Sequence, residues 1–177
     1  IPGRKGSAIL SGLVAEGVEV SVLTNSLAAT DVATVHGAYA NYRKRLVRAG
    51  VRLFELQPFS HQAKISVFGS KGASLHTKAF TVDGKTGFVG SFNFDPRSVS
   101  LNAEMGVLFH DESLVAELRR RFRREILPQT SYAVSLRDGH LLWTGIDQGQ
   151  MHQYTSEPEA SLSRRILAAL VRHLPIE

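Results

Sequence analysis

Residues 76–93, HTKAFTVDGKTGFVGSFN, constrain the fold of this 177-residue chain more than any other stretch. Two runs rich in strand formers, residues 73–81 and 86–93, flank Asp83-Gly84, a dipeptide suited to the left-handed backbone of a tight turn. The segment predicts a β-hairpin with a short loop. Side chains two apart on a strand share a face, so His76 and Lys78 point one way, and Ser91 and Asn93 pair up likewise on the neighbouring strand. One side of the hairpin then presents an imidazole, an ammonium, a hydroxyl and a carboxamide. Leu75, Ala79, Phe88, Phe92 and Phe94 fall on the opposite faces and are left to pack. Such a polar set suits holding a phosphodiester while an imidazole attacks or protonates it. Lys78 supplies charge for the non-bridging oxygens, and Ser91 and Asn93 supply neutral donors. His76 can attack or carry a proton, since an unperturbed imidazole titrates near neutrality. Gly90 removes bulk where a ligand approaches.

Around the hairpin the pattern alternates. A helix is expected near 3–16, a strand at 18–24, a helix at 32–48 capped by Asp31, and a strand at 51–57. Residues 58–73 read as loop-rich with a short strand near 65–68. After the hairpin come a strand at 104–110 and a helix at 112–126, capped by Asp111 and stopped by Pro128. A second hairpin is expected over 131–145 around Asp138-Gly139, then an amphipathic helix over 160–173. The fold class is α/β: a mixed β-sheet flanked by α-helices, an αβα sandwich, with residues 1–177 forming one domain.

Composition excludes little but helps. A hydrophobic content of 43% is ordinary for a globular chain, and the absence of cysteine removes disulfides and thiolate metal sites. No apolar run approaches the roughly twenty residues that span a bilayer. The opening IPGRKGSAILSGLVAEG has no signal-peptide core and reads as a helix entered mid-protein. A net charge of +5 favours an anionic partner. Arg43, Lys44, Arg45 and Arg48 cluster on one predicted helix, and Arg119, Arg120, Arg121, Arg123 and Arg124 on another. Solvated helix faces and contact with a lipid surface are both open for them. Aromatic residues are not interleaved with the arginines, which weighs against a single-strand nucleic-acid platform. The remaining histidines, 36, 61, 110, 140, 152 and 173, lack metal-ligand spacing such as H-E-x-x-H.

Read as H-x-K-x4-D-x6-G-S-x-N, the segment resembles the HKD motif of the phospholipase D superfamily at His76, Lys78, Asp83, Gly90, Ser91 and Asn93. The contexts Leu23-Thr-Asn-Ser-Leu-Ala-Ala-Thr-Asp31, Val35-His36-Gly37-Ala38-Tyr39, Gly90 to Ser98 and Leu101 to Glu104 resemble bacterial cardiolipin synthases of the phospholipase D type. The likeness runs on through Glu157-Pro158 to Leu174-Pro175-Ile176-Glu177. Members of that family carry two HKD motifs and build one active site between two similar halves. The single motif here resembles the second, so the resemblance implies a C-terminal phospholipase D-like half of a longer protein.

The resemblance also implies a chemistry. One histidine attacks phosphorus to form a phosphohistidine and the other protonates the leaving alkoxide, after which an alcohol or water releases the phosphatidyl group. His76 is expected as the general acid/base, with nucleophile as the alternative. Lys78 holds phosphoryl oxygens, and Asp83 stabilises the site from behind or ties the hairpin. Glu104 accepts the imidazole Nδ1–H and fixes its tautomer. Arg97 contacts a headgroup phosphate or forms a structural salt bridge, and His36 lines the site or sits in the core. No metal or cofactor is implied. The implied substrate is an anionic phospholipid of the phosphatidylglycerol type, met peripherally at the cytoplasmic face of a bacterial inner membrane, with a soluble fragment here. The implied partner is the missing N-terminal half or a second copy of this one. Two other readings stand beside it: a superfamily phosphodiesterase or nuclease working as a homodimer, and an inactive fragment exposing an apolar docking patch. Nucleic acid is the less expected substrate. The acceptor, whether phosphatidylglycerol, phosphatidylethanolamine or water, stays open.

Overall fold

The computed structural model describes residues 3–30, 32–58, 75, 78–91 and 103–172. In chain order these form α1 (Arg4–Ala15), β1 (Ser21–Asn25), α2 (Ala33–Arg48), β2 (Arg52–Leu56), β3 (Lys78–Val82), β4 (Thr86–Gly90), β5 (Gly106–Phe109), α3 (Glu112–Glu125), β6 (Ser131–Arg137), β7 (His140–Asp147), β8 (Gln150–Tyr154) and α4 (Leu162–Arg172). The expected short strand near residues 65–68 lies outside the described residues.

A mixed five-stranded sheet has the order β1-β2-β6-β7-β8. Its β1 and β2 are parallel and joined through α2, as a parallel pair requires a crossover, and its other neighbours are antiparallel. The hairpin containing Lys78 belongs to a second, antiparallel sheet, β3-β4-β5. Helix α2 packs on β2 and β6 and lies against α1 and α4, while α3 covers β3 and β4. A mixed sheet flanked by helices is thus what forms.

Local chemistry explains most of the boundaries. Asp111 caps α3, its Oδ1 accepting from the backbone N–H of Ser113 at 2.9 Å and of Leu114 at 3.0 Å. Those bonds also hold its carboxyl below the usual range, the bond from Leu114 first. The N-cap of α2 is Val32, with no side-chain cap; the cap expected from Asp31 lies outside the described residues. Three hairpin turns carry a residue–glycine pair with positive φ: Asp83-Gly84, Asp138-Gly139 and Gln148-Gly149. The third creates β8, which the sequence pattern did not predict. Glutamine is not among the residues that signal a left-handed turn position.

The core forms where α2 meets the mixed sheet. One stripe of the helix, His36, Gly37, Tyr39, Ala40, Arg43 and Leu46, is buried. Tyr39 packs with Leu53, Tyr132, Val134 and Trp143 from β2, β6 and β7. Within this apolar cluster lies a charged one. Glu55 on β2 is fully buried and accepts from Tyr39 Oη at 3.0 Å, Arg43 Nη1 at 2.8 Å and Trp143 Nε1 at 2.9 Å. Arg43 also bonds Glu157 through both terminal nitrogens, and its guanidinium carbon lies 4.7 Å from the Trp143 ring centre. His36 Nε2 is 3.3 Å from Glu157 Oε2.

A buried carboxylate is costly unless paired and hydrogen-bonded, and removal of one partner strands the other. Arg43→Leu is therefore expected to destabilise the protein by about 3–5 kcal/mol, read by urea denaturation followed through Trp143 fluorescence. A loss below about 1 kcal/mol would show that the cluster contributes little. For Glu157, burial acts to raise the carboxyl pKa, but the bond from His36 and the charge of Arg43 outweigh it and bring the group from its ordinary 4.5 down to about 2. A depressed folded-state pKa stabilises above the unfolded value, and that stability is lost as pH falls from 4.5 toward 2. The swing is about 3 kcal/mol. Glu157→Gln is expected to flatten the acid limb of stability across that window, measured by denaturant unfolding as a function of pH.

Candidate functional site

Lys78 opens β3 and is half-buried, and the ladder pairs it with Gly90 on β4, which in turn pairs with Gly106 on β5. Two glycines in a row beside Lys78 are required by close packing. A Cβ on Gly90 would lie 2.6 Å from the Met105 carbonyl and 2.7 Å from Gly106 Cα. A Cβ on Gly106 would lie 2.3 Å from the Phe88 ring. That ring stacks on Phe80 with centroids 5.1 Å apart. Lys78 therefore stands at the end of an aromatic row, at the point where β3, β4 and β5 end or begin.

The face assignment differs from expectation. The loop holds three residues, Asp83 to Lys85, because Val82 pairs with Thr86. With two loop residues, Lys78 would face Val89, and the odd-numbered residues of β4 would share its face. The third loop residue moves every partner by one, and a one-residue shift exchanges the faces. Phe88 consequently lies opposite Phe80 on the Lys78 face, not on the opposite face. Strict alternation assigns Ser91 to the other face, just past the end of β4. On this register, alternation alone does not put Ser91 on the Lys78 face, in contrast to the shared face expected from the sequence.

Ser91 has a different attachment. Its N–H donates to the Met105 carbonyl at 2.8 Å, and its Oγ accepts from Met105 N–H at 3.0 Å. The same Oγ lies 2.6 Å from Glu104 Oε2 and 3.2 Å from the Met105 carbonyl. A hydroxyl has one proton, and the shorter contact to a carboxylate is the better acceptor. Ser91 thus fastens Glu104 to the end of β4. Asp83 lies in the turn with φ 51, at the hairpin end remote from Lys78, which supports its turn role. His76, Asn93 and Arg97 lie outside the described residues.

Helix α3 lies over this hairpin, with Arg119 Nη1 just 2.7 Å from where a Cβ on Gly84 would be. Glu117 pairs with Arg120 and Arg121 on α3. Its carboxyl is held below the usual range, by the bond from Arg121 first. His36 is 3% exposed and belongs to the core under α2. His36, Glu55 and Glu157 place ligand-type atoms within 4.8 Å of one another, but the Arg43 guanidinium already sits among them as their cation. No helix among the described residues is long and apolar enough to cross a membrane.

One further residue meets the motif strand. Asn25, at the end of β1, accepts from Leu75 N–H at 2.7 Å and donates to the Leu75 carbonyl at 3.0 Å. A single asparagine at a strand end carries no distinctive spacing, so the sequence pattern marks no role for Asn25.

Comparison with known proteins places this arrangement. Residues 2–126 match the family described as "Cardiolipin synthase, PLD-like domain". The chain belongs to that family. Among its relatives, cardiolipin synthase C of Escherichia coli K12 is 43% identical over 184 residues, covering 100% of this chain and 38% of that protein. Cardiolipin synthase A of Pseudomonas aeruginosa PAO1 is 33% identical over 136 residues, covering 77% of this chain and 23% of that protein. The chain thus spans less than two fifths of the curated relatives it matches. The crystal structure of Nuc, a phospholipase D family member from Salmonella typhimurium, aligns over 70% of each chain. Its TM-score is 0.53 at 18% identity, a likeness of fold.

The crowding around Gly90 gives a test within this cardiolipin synthase-like domain. Gly90→Ala must move backbone, not just a flexible side chain, and is expected to destabilise by about 1–3 kcal/mol and to lower the melting temperature. An unchanged melting curve would mean that β4 and β5 separate there without strain.

Proposed function

We propose that this chain supplies one half of a phospholipase D-type active site that transfers a phosphatidyl group between phospholipids, forming cardiolipin. The observation that carries this reading is the identity of 43% to cardiolipin synthase C across the whole chain, well beyond the motif itself. In this reading a histidine attacks the phosphorus of phosphatidylglycerol and the P–O bond to the headgroup glycerol breaks. The second histidine gives its proton to the departing alkoxide. The same imidazole then takes the proton of an acceptor alcohol, whose oxygen attacks the phosphohistidine and frees the first histidine. Two displacements replace one harder one. His76 serves as the acid and base, and Lys78 and Asn93 hold the non-bridging oxygens. Ser91 acts through Glu104, whose carboxylate orients the imidazole. Arg97 meets a headgroup phosphate.

The half-site part of the proposal has support in the exposed apolar strip next to Glu104. Met105 is 83% exposed, and Val107 follows it on the same face of β5, also exposed. A large apolar strip beside a candidate site fits a surface that another half covers. That half would be the N-terminal part of the intact protein or a second copy. Contact with the membrane would be peripheral, at the cytoplasmic face, and the net charge of +5 would favour anionic lipid. The competing reading is a phosphodiesterase acting on nucleic acid. The likeness to Nuc extends to the fold and carries no substrate.

Turnover of phosphatidylglycerol vesicles to cardiolipin, measured beside hydrolysis of DNA, separates the two. The intact protein is expected to make cardiolipin and leave DNA uncut, and His76→Ala to abolish the transfer. Wild-type synthesis by that variant would remove His76 from the chemistry, and DNA cleavage without lipid transfer would favour the nuclease.

A further inference from the structure

We propose that Asn25 is the positioning residue for His76. The inference rests on the reading of His76 as a reacting group and adds to it a residue from the other sheet. Asn25 ends β1, where the parallel ladder pairs it with Leu56 and the next N–H, from Ser26, donates to the Leu56 carbonyl at 3.3 Å. Its backbone is therefore fixed by the mixed sheet. Its carboxamide reaches fifty residues along the chain and makes both hydrogen bonds that a neighbouring strand would make with Leu75, to the N–H at 2.7 Å and to the carbonyl at 3.0 Å. A carboxamide is the side chain that copies a peptide group, with one acceptor and one donor side by side.

The consequence follows from connectivity. Leu75 is pinned by Asn25, and Lys78 is pinned by the ladder to Gly90. His76 and Thr77 are the two residues between these pins. His76 follows Leu75 directly in the chain, so a shift of the Leu75 peptide is passed to the residue that carries the imidazole. Because the pin comes from β1 and the ladder from β4, the carboxamide sets the motif strand relative to the mixed sheet. Misplacing a reacting group by an ångström can cost about a hundredfold in rate. In this scheme Asn25 acts through the Leu75 peptide.

The test uses the intact protein and phosphatidylglycerol vesicles, with His76→Ala as a separate control on the reading of His76. Asn25→Ala is expected to lower kcat about 30- to 100-fold while KM stays within about twofold and melting remains cooperative. Asn25→Asp gives a readout that a merely structural bond would not. At neutral pH its carboxylate offers no donor to the Leu75 carbonyl, so kcat falls. Once protonated, its O–H donates to that carbonyl while its other oxygen accepts from Leu75 N–H, restoring both bonds. The ratio of Asn25→Asp to wild-type kcat is therefore expected to rise several-fold as pH falls from about 7.5 to about 5. Wild-type kcat in Asn25→Ala overturns the proposal. So does a flat Asn25→Asp ratio, which alone decides if Asn25→Ala fails to fold. Full activity in His76→Ala would instead sink the underlying reading, an outcome distinguishable from either.

Discussion

The fully buried Glu55 carboxylate is the constraint around which the larger sheet is arranged. A charge with no access to water must find its partners within the fold, and Glu55 draws them from two elements. Tyr39 and Arg43 come from α2, Trp143 from β7, and Arg43 passes the connection on to Glu157 in the segment before α4. Burial acts to lower the Arg43 pKa, but the charges of Glu55 and Glu157 outweigh it and raise it. Burial likewise pushes the Tyr39 hydroxyl up, with the Glu55 charge adding to it. Two carboxylates share one guanidinium, and the remaining negative charge is met by neutral donors on Tyr39 and Trp143. Apolar packing would hold α2 against the sheet in several rotations. A polar cluster of fixed geometry selects one, as a hypothesis in line with buried polar groups elsewhere.

That selection matters for the site because β1 and β2 carry both ends of the arrangement. The strand that buries Glu55 pairs in parallel with the strand that ends in Asn25. Among the described residues the motif hairpin shares no ladder with the mixed sheet, so contacts between the two sheets bear on its placement. Asn25 to Leu75 is such a contact. The core under α2 and the chemistry-bearing strand are thereby linked through β1, although no residue of the charged cluster touches Lys78, Ser91 or Glu104 among the described contacts.

Much of this was legible in the sequence. Asp83-Gly84 and Asp138-Gly139 located two hairpins, Asp111 capped the helix it was expected to cap, and alternating strands and helices gave the α/β class. Three things were not legible, each for a physical reason. The loop length at Asp83–Lys85 decides which faces coincide, and a dipeptide signal does not count the loop. Arg43, left open between a solvated helix face and a lipid surface, is instead buried with Glu55, because burial of a charge depends on a partner far away in the sequence. Their separation from Glu157 along the chain is about a hundred residues. Asn25 was hidden because its function is to imitate backbone, which leaves no pattern in side-chain periodicity.

The glycine pair at Gly90 and Gly106 has a consequence for solubility as well as for packing. Bare backbone lets β5 lie close on β4, but it leaves β5 at the margin of its sheet among the described residues, with Met105, Val107 and Leu108 exposed. An open strand margin bearing apolar side chains is a template for pairing with any passing strand. A copy of this domain made without a cover for that margin would be prone to form insoluble assemblies, and during synthesis the interval before the margin is covered would be the period of greatest exposure to misassociation.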